Sequence, residues 1–167
     1  MSVDEHKSHK PDQLSCGVIT VSDTRDVDTD KSGRLIINQL KGQDYNIESY
    51  VIVKDEEVEI ELSINEILSQ SVDALLINGG TGIAERDVTI EVVNKLINKE
   101  LPGFGEIFRM LSYTEDIGSA AILSRATAGI IGKTAVFSMP GSSGAVKLAM
   151  EKLIIPELPH IIHELNK

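Results

Sequence analysis

The chain has 167 residues, 41% of them hydrophobic and 25% charged, a balance that suits one domain with a buried core. Its formal net charge of −10, unbroken by any basic stretch, argues against nucleic-acid binding and against docking on an anionic membrane. A single cysteine, Cys16, excludes an intrachain disulfide. With no signal-like apolar core at the start and no apolar run near the ~20 residues of a membrane span, the expected location is cytoplasmic.

Residues 1–14 are polar, contain Pro11 and read as a disordered lead-in; residues 15–167 read as a single domain. CGVITVS, starting at Cys16, is a short β-branched run expected to form a buried strand. It ends in the polar loop SDTRDVDTDKSG, where Ser32 is a candidate cap for a helix marked by Leu35, Ile36 and Leu40. NIESYVIVKDE reads as a second strand with Asp55 just past its end. Val58, Leu62, Ile64, Ile67 and Leu68 then form a helical stripe. VDALLIN is a third strand running into GGTGIAERD, followed by a helix carrying Val88, Val92, Val93, Leu96 and Ile97. LPGFGEIFRMLSY is expected to be helical from the spacing of Phe104, Ile107, Phe108 and Leu111. SAAILSRATAG is expected to begin as a short helical segment. KTAVFSMP is the fourth clear strand, and PGSSGAVKLAMEKLIIPEL a glycine-rich turn and helix that Pro156 and Pro159 interrupt or restart.

Alternating strands and helices predict an α/β fold, three α/β/α layers around a mostly parallel sheet. In such sheets ligands bind beyond the carboxyl ends of the strands. The unusual polar clusters all fall there: Ser22 and Asp23 after the first strand, Asp55 after the second, Gly79 to Asp87 after the third, and Pro140 to Ser143 after the fourth.

Asn78-Gly79-Gly80-Thr81-Gly82 is the sharpest of these, because glycines allow positive φ and clear space for a ligand edge, with a run of backbone N–H groups available to a phosphate or pterin. An unliganded strand–helix turn would have the same composition. No Lys follows the last glycine, so the loop is not a Walker A motif. GxGxxG is absent from the first strand–helix turn, which disfavours a dinucleotide fold. Asp87 or Thr89 is a good helix N-cap, and Asp87 paired with Asp55 is equally a candidate Mg²⁺ site, since Mg²⁺ at phosphates takes one or two carboxylates plus waters. Arg125, after Ser124, is suited to an anion or to an acidic neighbour. The Gly141–Ser142 turn is suited to an oxyanion or to a capped helix start. His160 and His163 read as a surface pair and Cys16 as a buried, inert thiol.

TVSDTR, NGGTGIAERDVT, LPGFGEIFRMLSY, LSRATAGIIG and MPGSSGAVKLAMEKLIIPEL, in this order from about Cys16 to the C-terminus, together resemble the MoaB/Mog family of molybdopterin-binding proteins, and its MoaB branch more than its Mog branch. The resemblance implies the MoaB/Mog-like molybdopterin-binding fold, assembled as a homotrimer or homohexamer. It implies adenylylation of molybdopterin by Mg·ATP with release of pyrophosphate, in molybdenum-cofactor biosynthesis upstream of a molybdate-insertion protein. Carried across by motif, the family's two functional aspartates fall on Asp55 and Asp87, which would be catalytic and would hold Mg²⁺. Ligand contacts fall on Gly79, Gly80, Thr81, Gly82 and Ser124, with Ser22, Asp23, Gly141 and Ser142 nearby. Ile90 stands where the Mog branch commonly has Pro. The alternative function is a non-catalytic pterin-binding or scaffold protein in the same pathway. A generic nucleotide-binding domain is a third reading.

Overall fold

The structure, a computed structural model, describes residues 13–167. The expected lead-in therefore lies outside the described residues as far as residue 12. Its last residue, Leu14, is a core residue, 2% exposed and packed in the same cluster as Cys16 and Val18.

Six strands form one sheet in the order β2-β1-β3-β6-β5-β4: β1 (Ser15–Val21), β2 (Asn46–Val53), β3 (Ala74–Asn78), β4 (Lys99–Glu100), β5 (Thr127–Ile131) and β6 (Thr134–Met139). The first four in that order run parallel, while β5 pairs antiparallel with both β6 and β4. The strand Thr127–Ile131 is not among the four strands expected from the sequence, which marks only a short helical segment at the start of SAAILSRATAG. The helical part is a 3₁₀ turn over Gly118–Leu123, and the chain then pairs with β6. Small residues suit that place, since a Cβ on Gly129 would meet the Ile97 side chain at 2.5 Å.

The helices are α1 (Lys31–Gly42), α2 (Glu57–Leu68), α3 (Thr89–Leu96), α4 (Pro102–Leu111), α5 (Ser143–Ala149) and α6 (Ile155–Leu165). The strict alternation of side chains along a strand sends Val18, Leu76 and Phe137 to one face and Ile19, Leu75, Ile77 and Val136 to the other. The first face packs on α1, α4, α5 and α6, where Phe104 meets Phe137 edge-on at 5.4 Å. The second packs on α2 and α3 through Ile60, Ile64, Ile67, Val92 and Val93. The helical stripe of α2 is narrower than expected, because Val58 and Leu62 point outward. A π-helical stretch, Met150–Ile154, joins α5 to α6, and Pro156 sits in the first turn of α6, where its missing N–H costs least. No described helix is long and apolar enough to cross a membrane.

Strand β1 has β2 on one side and β3 on the other. The connections leaving their carboxyl ends therefore diverge to opposite sides, and the sheet opens a crevice at that point.

Candidate functional site

The crevice is a hollow of about 420 Å³. The loop after β1 supplies Ser22, Asp23, Thr24 and Arg25, β2 ends in Asp55, the loop after β3 supplies Gly79 to Gly82 and Asp87, and the turn after β6 supplies Gly141. Four loops distant in sequence thus meet at one sheet edge. Of the residues expected to form the site, Ser124 and Ser142 do not line it. Ser142 is the N-cap of α5, accepting from Ala145 N, and the backbone N–H of Ser124 closes the preceding 3₁₀ turn on the Ala121 carbonyl.

The glycines take the shape the crevice requires. Gly79 and Gly80 have φ of 94° and 64°, and a Cβ on Gly79 would lie 2.2 Å from the Val21 carbonyl oxygen. A side chain at either position would strain the backbone and collide with the protein behind the loop, at Gly80 with Thr89 Oγ1 and Asp55 Oδ1. Not every N–H in the loop is available, however, since that of Gly79 donates to the Met139 carbonyl at 3.0 Å and so extends the β3–β6 pairing.

Three carboxylates face one another. Asp23 accepts the Asp55 backbone N–H at 3.2 Å and a fork from Arg86 at 2.9 and 2.5 Å. The Asp55 backbone N–H, then Arg86, hold the Asp23 carboxyl below the usual range. Asp55 moves the other way. Burial, then the charges of Asp23 and Asp87, raise its pKa, and its Oδ1 is buried without a hydrogen-bond partner. Asp87 Oδ2 accepts the Ala84 N–H at 3.0 Å.

Neither Asp87 nor Thr89 caps α3. The N-cap is Val88, and Asp87 closes the turn before the helix. The Thr89 hydroxyl is instead buried without a partner. An orphaned, charge-crowded carboxylate oxygen beside a second carboxylate is a donor set that fits a hard cation, which would relieve both burial and repulsion. Among the described residues no group of three or more His, Cys, Asp or Glu side chains could hold a metal. Any cation here would accordingly depend on ligand oxygens and water as well as on the protein.

Behind the loops lies a buried polar network that the sequence reading missed. Asp30, fully buried, caps α1 in place of Ser32 by accepting the Gly33 N–H at 3.0 Å. Its other oxygen accepts from the hydroxyls of Thr20, at 2.6 Å, and Tyr50. Burial opposes its charge, but these three donors and Arg25 outweigh burial and keep the carboxyl below the usual range. Ser32 donates to Asn78 Oδ1 at 2.9 Å, and Asn78 Nδ2 donates to Thr20 Oγ1 at 2.9 Å. The loops after β1 and β3 are therefore pinned to the same buried carboxylate. A readable signal was present in Asp30-x-x-Gly33, an N-cap residue three before a glycine N–H.

Arg125 forks onto Glu91 at 2.5 and 3.0 Å and donates to the Thr81 carbonyl, so it serves an acidic neighbour and the loop backbone. His160 lies within ion-pair distance of Glu157 and Glu164 on the surface of α6. Cys16 is fully buried, and burial, then the charge of Asp73, pushes its thiol up to about 12.

A three-layer α/β/α domain with its pocket at the switch point of a parallel sheet is a small-molecule-binding domain. Residues 17–160 match the family model described as "Probable molybdopterin binding domain". The chain is 64% identical to molybdenum cofactor biosynthesis protein B of Bacillus subtilis (strain 168), over all of this chain and 99% of that one. It is 53% identical to the protein of the same name from Halalkalibacterium halodurans, over 100% and 99%. Among solved structures, the tungsten cofactor synthesizing protein MoaB of Pyrococcus furiosus superposes with a TM-score of 0.86 at 42% identity, over 94% of this chain and 99% of that one. The chain belongs to the MoaB/Mog family of molybdopterin-binding domains.

Proposed function

We propose that the chain acts in molybdenum-cofactor biosynthesis, binding molybdopterin in the crevice between β1 and β3 and transferring to it the adenylyl group of Mg·ATP. Its place in the pathway rests on the family and on full-length relatives named for that biosynthesis. The observation that carries the transfer reading is the facing of a glycine-rich cradle, Gly79, Gly80 and Gly82 around Thr81, by Asp55 and Asp87.

In this reaction an oxygen of molybdopterin's terminal phosphate forms a bond to the α-phosphorus of ATP. The bond from that phosphorus to the β-phosphate bridge breaks, and pyrophosphate leaves with the electron pair. No covalent enzyme intermediate is required; positioning and charge neutralisation do most of the work. The glycine loop lets the ligand approach the backbone, and the buried network holds that loop to the β1 loop. Asp55 and Asp87 would hold Mg²⁺, which when bound supplies positive charge between two anionic reactants.

The active form is a homo-oligomer. Ile107, Met110, Tyr113, Ile117, Ile122 and Leu123 are exposed over α4 and the turns after it, with Ile122 at 86%, a concentration of apolar surface that supports a subunit contact.

Incubation of the protein with molybdopterin, ATP and Mg²⁺, followed by mass spectrometry of the pterin, tests the reading. Adenylylated molybdopterin is the expected product. Molybdopterin recovered bound but unmodified would make the protein a pterin carrier or scaffold.

A further inference from the structure

A phosphate entering this crevice meets an unfavourable field. The protein carries a formal net charge of −10, and Asp23, Asp55 and Asp87 all line the hollow. Three arginines lie close by. Arg86 is forked onto Asp23 and Arg125 onto Glu91, and neither lines the hollow. Among the described residues, Arg25 is the one basic residue that lines it.

Arg25 is held differently from the other two. Its Nη1 donates to Ser32 Oγ at 2.6 Å and stands 3.6 Å from Asp30 Oδ1, while its Nη2 donates to the Gly141 carbonyl at 3.0 Å. The nearest carboxylate, Asp30, is fully buried and already accepts from Thr20, Tyr50 and Gly33, so it does not depend on the guanidinium for its hydrogen bonds. Arg25 remains one-third exposed and lines the hollow. Its orientation is therefore fixed before any ligand arrives, and its charge is not spent in a two-point fork to a carboxylate. Preorganised donors of this kind bind anions without the entropic cost of ordering a long side chain.

We propose that Arg25 is the anion-reading residue of the crevice, contacting the phosphate monoester of the bound pterin while Ser32, Asp30 and Gly141 hold it in place. The assignment rests on molybdopterin being the ligand. It does not require that the protein catalyse adenylyl transfer.

Equilibrium binding of molybdopterin and of dephosphorylated molybdopterin to the full chain separates anion reading from a tether between the β1 loop and the Gly141 turn. Wild type is expected to favour the phosphorylated form by about tenfold or more, the ratio set by one charge-assisted hydrogen bond. Arg25→Gln is expected to lose most of that ratio while keeping its affinity for the dephosphorylated form. Arg25→Lys, which retains the charge but cannot fork between Ser32 and Gly141, is expected to fall between them. Equal weakening of both forms in Arg25→Gln, or an unchanged ratio, would overturn the assignment and leave Arg25 a tether or a bystander. A wild type that binds neither form would instead overturn the molybdopterin reading, and the assignment with it.

Discussion

The Asp55 carboxylate and the Thr89 hydroxyl converge beneath Gly80: a carbon added there would lie 2.7 Å from Asp55 Oδ1 and 2.2 Å from Thr89 Oγ1. Both oxygens are buried without partners. Gly80→Ala would thrust a methyl group between them and force φ = 64° on a residue that resists it. The variant is expected to lose about 1–3 kcal/mol of stability, measured by urea unfolding, and to bind molybdopterin weakly even under native conditions.

Asp55 makes a pH-dependent contribution to stability. Its folded pKa is raised, so its favourable contribution is complete below the unfolded carboxyl pKa and is lost as pH rises through the folded value. Ionised Asp55 consequently destabilises the metal-free protein at neutral pH. Asp55→Asn is expected to melt above wild type at pH 7 in EDTA, with the difference vanishing toward pH 3. The same variant is expected to lose activity. Equal melting temperatures across that range would contradict the buried-carboxylate account.

Asp30 has the opposite sign. Its folded pKa is lowered, so its contribution is present above the unfolded carboxyl pKa and is lost as pH falls through the folded value. Asp30→Asn, which keeps the shape but cannot accept all the hydrogen bonds from Thr20, Tyr50 and Gly33, is expected to cost about 2–3 kcal/mol at neutral pH and much less in acid. Denaturant melts at the two pH values measure the difference.

These two aspartates also show how far the sequence could be read. Asp55 was legible as a candidate because it follows a strand at the sheet's carboxyl edge, a position that chain order alone supplies. Asp30 was not, because its partners Thr20 and Tyr50 lie in β1 and β2, and Ser32 nearby offered a plausible rival cap. Arg25 was hidden for the same reason, its Gly141 contact spanning 116 positions. Strands β1, β2, β3 and β6 announced themselves by short apolar runs. In β5 the leading Thr-Ala-Gly merges with a small-residue helical stretch, and β4 is two exposed charged residues that pair only because β5 is beside them. The start of α3 was not legible from its polar residues, because Val88 stands at the N-cap with no side-chain cap bond while Asp87 closes the preceding turn.

The exposed apolar group around Ile122 is expected to be covered by another copy of the chain. Sedimentation is expected to give a trimer or hexamer for wild type. Ile122→Asp is expected to give smaller species with an unchanged far-ultraviolet circular dichroism spectrum. An oligomer unaffected by this charge would move the interface elsewhere.

The most direct test of adenylyl transfer at this sheet edge is pyrophosphate release from ATP and Mg²⁺, with and without molybdopterin, for wild type beside Asp87→Asn. Release that requires molybdopterin and falls about 100-fold or more in the variant is the predicted result. A folded wild type that binds molybdopterin and releases no pyrophosphate would contradict it.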